Sequence, residues 1–165
     1  MFKIDLPVLS LAPFVPSPPI VVDAMLKLAD LKAGEKLCDL GCGDGRFLIS
    51  AVQGYGVKAV GVEYNHDRAE GAMRRIRELK LESMIQIIEG DAMNVDVSDV
   101  DVIVLYLTPT GNEKLKPKFE RELRHGTRVL SHDFKFHGWK PLRKGKISEG
   151  KYFWSNQHTI WVYKV

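Results

Sequence analysis

The chain has 165 residues, enough for one domain that buries about two thirds of its unfolded surface and too few for a second. Its 24 Lys and Arg against 21 Asp and Glu leave a net charge of +3, which permits contact with RNA or acidic surfaces but is no dedicated nucleic-acid footprint. The two cysteines, Cys38 and Cys42, have no further Cys or nearby His to complete a metal set. No metal is expected, and both read as small buried residues of a reducing compartment, taken as the cytoplasm. An apolar N-terminal stretch is broken by Pro7, Pro13, Pro16, Pro18 and Pro19, so neither a secretory signal nor a membrane span is expected there.

Elements alternate in the way that builds a parallel sheet covered by helices. Val22, Met25, Leu26 and Ala29 at helical spacing after Pro18-Pro19 predict a helix over 19–31. A strand follows near 36–41, then a helix from about Arg46 to Val52 that stops at Gly54 and Gly56. Lys58 to Glu63 reads as the second strand. The next helix starts at Asn65 or His66 and runs to about Leu79, with Ala69, Ala72, Met73 and Ile76 on its apolar face and arginines on its solvated one. Met84 to Ile88 gives a third strand and Asp101 to Leu107 a fourth, apolar throughout as a central parallel strand is. A Lys-rich helical region over 112–124, broken or restarted at Pro117, leads to a fifth strand, Gly126 to His132. Two antiparallel strands, near Lys146 to Trp154 and His158 to Lys164, end the chain as a hairpin.

The most informative run is Asp39-Leu40-Gly41-Cys42-Gly43-Asp44-Gly45, where the first strand turns into its helix. Glycines there let a ligand lie against the backbone and allow backbone angles a Cβ would forbid. The dinucleotide fingerprint would need a glycine at position 46, where Arg46 stands, so NAD is disfavoured. Asp39 and Asp44 would repel a pyrophosphate but suit the ammonium and sulfonium of S-adenosylmethionine. Glu63, closing the second strand, is placed to accept hydrogen bonds from ribose hydroxyls. Asp91 and Ala92 follow the third strand at the same sheet edge, with Asp91 a candidate acceptor for the adenine amine. Tyr106, Leu107, Thr108 and Pro109 stand past the end of the fourth strand, beside the cofactor strand.

These motifs resemble the class I S-adenosylmethionine-dependent methyltransferases, and among them the small archaeal broad-specificity protein lysine methyltransferases with their mitochondrial relatives. The likeness rests on Pro13-Phe14-Val15-Pro16-Ser17-Pro18, the glycine run through Arg46, Gly61-Val62-Glu63, Asp96-Val97-Ser98, Leu105-Tyr106-Leu107-Thr108-Pro109, and Gly126-Thr127-Arg128-Val129-Leu130-Ser131-His132. It implies an α/β, Rossmann-like three-layer sandwich with a seven-stranded, mostly parallel sheet and a reversed last hairpin. It also implies a cofactor held by Gly41, Gly43, Glu63 and the Asp91 loop, and lysine ε-amines of proteins as acceptors.

Methyl transfer to an amine is an in-line displacement, so alignment matters more than covalent chemistry. A lysine of reference pKa about 10.4 is only about 0.04% neutral at pH 7, so the site must favour loss of a proton. The hydroxyls of Tyr106 and Thr108 are the candidate catalytic groups that orient the amine. The proline-stiffened segment 1–17 is expected to close over the cofactor, with Ser17 near its methionine end. His132 and Asp133, being adjacent on a strand, are expected to face opposite ways, which disfavours a mutual relay and makes His132 structural. Trp139, Trp154 and Trp161 read as packing, with Trp139 placed where it could line the acceptor site.

No stretch is long enough to enclose a small molecule, which suits a macromolecular acceptor. Lys114, Lys116, Lys118, Arg121 and Arg124, with Lys140, Arg143, Lys144 and Lys146, form either solvated charge or a phosphate-contacting surface. RNA is therefore the alternative substrate, and a non-catalytic cofactor-binding protein the other alternative. Leu107-Thr108-Pro109-Thr110 departs from the Asn- or Asp-Pro-Pro-aromatic run of enzymes that methylate planar base nitrogens, which favours an sp³ amine. A monomer is expected.

Overall fold

The computed structural model describes residues 11–152 and 155–165. Residues 1–10 of the expected N-terminal segment, and Trp154, lie outside them. The elements in chain order are α1 (Pro19–Leu28), β1 (Lys36–Leu40), α2 (Arg46–Tyr55), β2 (Lys58–Glu63), α3 (His66–Glu78), β3 (Ile85–Glu89), β4 (Val102–Leu105), α4 (Pro109–Glu122), β5 (Arg128–His132), β6 (Arg143–Ser148) and β7 (Gln157–Lys164). Seven strands form one sheet in the order β3-β2-β1-β4-β5-β7-β6. The first five are mutually parallel, and β7 runs antiparallel to both β5 and β6. The expected mixed sheet with a reversed terminal hairpin is what the chain forms.

Side-chain alternation on the central strands sends apolar residues to both faces. Leu37, Val102, Val104 and Leu130 meet Met25, Leu26, Leu48 and Ile76 from α1, α2 and α3 on one side. Cys38, Leu40, Ile103 and Leu105 meet Leu115 and Phe119 of α4 on the other, with Phe136 and Tyr163 extending that core. Three layers result. Chain order reverses between β1 and β4, and the loops leaving those two strands open a crevice at their carboxyl ends, where open α/β sheets bind ligands.

Two expectations are corrected. Helix α4 is continuous through Pro117 rather than broken there. Leu115 and Phe119 on either side of the proline are fully buried, so packing on the sheet holds both halves in line against the cost of the missing N–H. Strand β6 lies at Arg143–Ser148 instead of 146–154, because the turn begins at Ser148, whose hydroxyl donates to the Gly150 carbonyl. Its partner register, Arg143 to Val162 through Ser148 to Gln157, fixes the hairpin.

Candidate active site

A cavity of about 890 Å³, its mouth included, occupies the crevice between the β1 and β4 loops. Asp39, Gly41, Gly43 and Asp44 line it from the β1 turn, Glu63 from the end of β2, Asp91 and Ala92 from the β3 loop, and Tyr106 from the β4 exit. Ser17 and the backbone from Leu11 onward roof it. Of the residues singled out in the sequence, Gly45 and Thr108 do not line it.

The β1 turn is left-handed at Gly41 (φ 84°), Gly43 (φ 54°) and Gly45 (φ 80°), angles that disfavour any Cβ. A Cβ on Gly43 would collide with the Phe14 ring, so this glycine also lets the N-terminal segment close on the turn. Gly45 works on the other side, where it caps α2 and faces Ala72 of α3.

Three carboxylates converge on the turn. Asp39 is 4% exposed, and burial first, then the charges of Glu63 and Asp44, push its pKa up to about 8. Asp44 accepts two hydrogen bonds from the Arg46 guanidinium, at 3.0 and 2.6 Å, which hold its carboxyl below the usual range. Glu63 accepts the Gly43 and Asn65 N–H groups at 3.0 and 2.9 Å and is paired with Arg68 at 2.9 Å. Arg68 is thus no part of the solvated face of α3 where helical periodicity puts it; its place five residues after Glu63, one turn into the helix, is the signal in the sequence that marks the pair. Among the expected surface cations, Lys118 is likewise 3% exposed and paired with Glu122 at 2.6 Å, so it belongs to no phosphate-contacting surface.

Segment 11–17 is fastened at both ends. The Thr108 hydroxyl donates to the Leu11 carbonyl at 2.9 Å, and Arg46 Nη1 donates to the Ser17 carbonyl at 2.8 Å. Between these clasps Phe14 lies on Gly43 and under the Arg68 guanidinium, 5.0 Å from its ring centroid. Thr108 is thus a strap and an N-cap, its Oγ1 also accepting the Gly111 N–H at 3.0 Å, and its side chain faces α4 rather than the cavity.

Tyr106 does face the cavity, and its ring sits 3.7 Å from that of His132. Burial, with Asp133 beside the hydroxyl, holds its pKa above that of an ordinary phenol. His132 and Asp133 do not face opposite ways, as strand alternation leads one to expect. Asp133 turns left-handed at φ 62°, which swings its carboxylate back to 3.5 Å from His132 Nε2 and 3.6 Å from His158 Nδ1. The two ring nitrogens are 2.9 Å apart, a hydrogen-bond separation and shorter than the ~3.3 Å edge of a tetrahedral zinc site with 2.0–2.1 Å bonds. Trp139 stacks on Phe136 and Trp161 donates to the Asp133 carbonyl at 3.0 Å, so both pack, and neither lines the cavity. Both cysteine thiols are buried, which pushes Cys38 up to about 12 and Cys42 upward as well.

S-Adenosylmethionine fits this set. Asp39 is a buried carboxylate that no described side chain neutralises, suited to an ammonium, and the left-handed glycines bring backbone within reach of a flat ligand. A ribose diol at Glu63 would take the place of the Arg68 guanidinium.

The strand order, the glycine turn after β1 and the acid closing β2 define a Rossmann-like S-adenosylmethionine-dependent methyltransferase. A solved structure from Salinibacter ruber, described as an RNA methyltransferase in complex with S-adenosyl-L-homocysteine, superposes with TM-score 0.84 at 36% identity, covering 92% of this chain and 94% of that one. Residues 39–143 match the ANTKMT methyltransferase domain, and the chain belongs to that family. A protein-lysine N-methyltransferase of Saccharolobus islandicus is 40% identical over 93% of both chains. The adenine nucleotide translocase lysine N-methyltransferase of Mus musculus is 28% identical over 93% of this chain, which spans 63% of that longer protein.

Proposed function

We propose that this methyltransferase acts on lysine ε-amines of proteins with broad specificity, as a monomer in the cytoplasm. The observation that carries the acceptor is the 40% identity, over 93% of both chains, to a protein-lysine N-methyltransferase. The site chemistry agrees. Bound in the cavity, S-adenosylmethionine supplies an electrophilic methyl group. Asp39 binds the ammonium of its amino-acid end, Glu63 the ribose, and Asp91 and Ala92 border the adenine. Asp91 spends one oxygen on the Met93 N–H at 2.9 Å and keeps the other for the ligand. Segment 11–17 excludes water from above. Tyr106 orients the incoming amine at the open side of the cavity, and two catalytic hydroxyls reduce to one because Thr108 is turned away.

RNA is the second reading, favoured by the description of the Salinibacter ruber protein. The two separate when labelled methyl from S-adenosylmethionine is transferred into host extract, which is then divided for protease or ribonuclease treatment. Lysine methylation predicts label lost only with protease. Label lost only with ribonuclease would replace the acceptor, and no label in either portion would leave a cofactor-binding role.

A further inference from the structure

A lysine arrives at this enzyme as an ammonium and must leave a proton behind before it can attack, yet Asp39, Asp44 and Glu63 are committed to the cofactor end. One polar group of the cavity wall, Ser17, starts a chain that leads away from it. Ser17, 4% exposed, lines the cavity and places its Oγ 3.0 Å from His132 Nδ1. His132 Nε2 is 2.9 Å from His158 Nδ1, and His158 Nε2 is 3.3 Å from Glu149 Oε2. Glu149 sits where β6 turns toward β7, with its side chain 29% exposed. The first two links are hydrogen-bond separations, and the third is an ion-pair contact in which His158 Nε2 makes no hydrogen bond, so the partly exposed Glu149 side chain must turn toward it for the hop; the chain runs from cavity wall to solvent.

We propose that Ser17, His132, His158 and Glu149 form a proton relay that carries the acceptor amine's proton from the cavity to bulk water, a role that rests on the lysine reading above. Transfer in this direction takes both rings protonated at Nε2. Ser17 donates its hydroxyl proton to His132 Nδ1 as it takes one from the ammonium; His132 passes the Nε2 proton to His158 Nδ1; His158 passes its Nε2 proton to the Glu149 carboxylate, which releases it to water. No electrons change hands, and the amine keeps the lone pair that attacks the methyl carbon. The Asp133 carboxylate, 3.5 and 3.6 Å from the two bridging nitrogens, stabilises whichever ring is transiently cationic. This gives its left-handed backbone a purpose. Tyr106 stacks on His132 from the β4 exit and fixes the ring plane. Among the described residues, the charged and titratable groups facing the two imidazoles are therefore Asp133, Glu149 and Tyr106. Burial keeps His132 neutral at rest, pulled down to about 4, so one of its ring nitrogens is free to accept.

The test is a pH–rate profile of kcat on a lysine peptide, at saturating S-adenosylmethionine, for wild type, His158→Gly and Glu149→Gln. At pH 7 His158→Gly is expected to lose on the order of 10²-fold in kcat, with cofactor affinity within twofold of wild type. Added imidazole restores the rate, and at pH 9.5, where about 11% of the lysine is already neutral, the deficit shrinks to a few fold. Glu149→Gln, at the solvent end, shows the same pattern at smaller amplitude and covers the case in which the glycine variant does not fold. A deficit equal at both pH values, or absent in both variants, overturns the relay. A wild type that methylates no lysine at all overturns the acceptor reading instead, and the relay with it.

Discussion

The buried carboxylate of Asp39 makes cofactor binding a proton-releasing event. With its pKa near 8, about nine tenths of Asp39 is protonated at pH 7 in the free protein, and the neutral acid cannot pair with an ammonium. If only the ionised form binds, the affinity at pH 7 lies about elevenfold below its plateau, and it falls a further decade at pH 6. Isothermal titration of S-adenosylmethionine at pH 7, in phosphate and in Tris, reads the protons released from the difference in heat. Between about 0.7 and 0.9 proton is expected, since the ligand's own amino group, of reference pKa 7.7–8.0, takes back a little. Asp39→Asn should bind more weakly and release none. The same shift has a stability consequence of fixed sign. The acid's folded pKa lies above its unfolded value of 3.8, so the free fold loses about 1.4 kcal/mol per pH unit between those values, and the cofactor restores part of that loss. Release below about 0.3 proton in the wild type, or equal release in Asp39→Asn, would refute the reasoning.

Other residues separate in the same way. Gly43→Val drives a branched side chain into Phe14 at a left-handed position, and should weaken cofactor binding at least tenfold by calorimetry while leaving the far-ultraviolet circular dichroism unchanged. Arg46→Ala removes the clasp on Ser17, and limited proteolysis should then cut within 11–17 several times faster, an effect that cofactor reduces. Thr108→Val removes an N-cap and should cost about 1 kcal/mol in urea unfolding, whereas Tyr106→Phe should lower kcat with little change in stability.

Periodicity and glycine placement carry most of the architecture. The central strands are buried on both faces and read as unbroken apolar runs, and the β1 turn announces itself through three glycines whose backbone angles no other residue adopts readily. What stays hidden is whatever depends on packing between distant segments. Pro117 looks like a helix break until Leu115 and Phe119 are seen held by the sheet. Thr108 looks like a catalytic hydroxyl until Leu11, 97 residues away, claims its proton. The link between His132 and Asp133 escapes the sequence because strand alternation assumes extended backbone, and a left-handed Asp133 breaks that assumption. Arg68 and Lys118 read as surface charge because helical periodicity alone puts them on an outer face, although the spacings of Glu63 to Arg68 and of Lys118 to Glu122 mark both pairs.

The most direct test of the central claim is the chemical identity of the methylated product. Protein from a labelled transfer reaction with S-adenosylmethionine is hydrolysed to amino acids and separated, with the Gly43→Val variant alongside. Label in Nε-methyllysines, absent with the variant, is the predicted result; label in methylarginine, methylhistidine or a nucleoside would contradict the account.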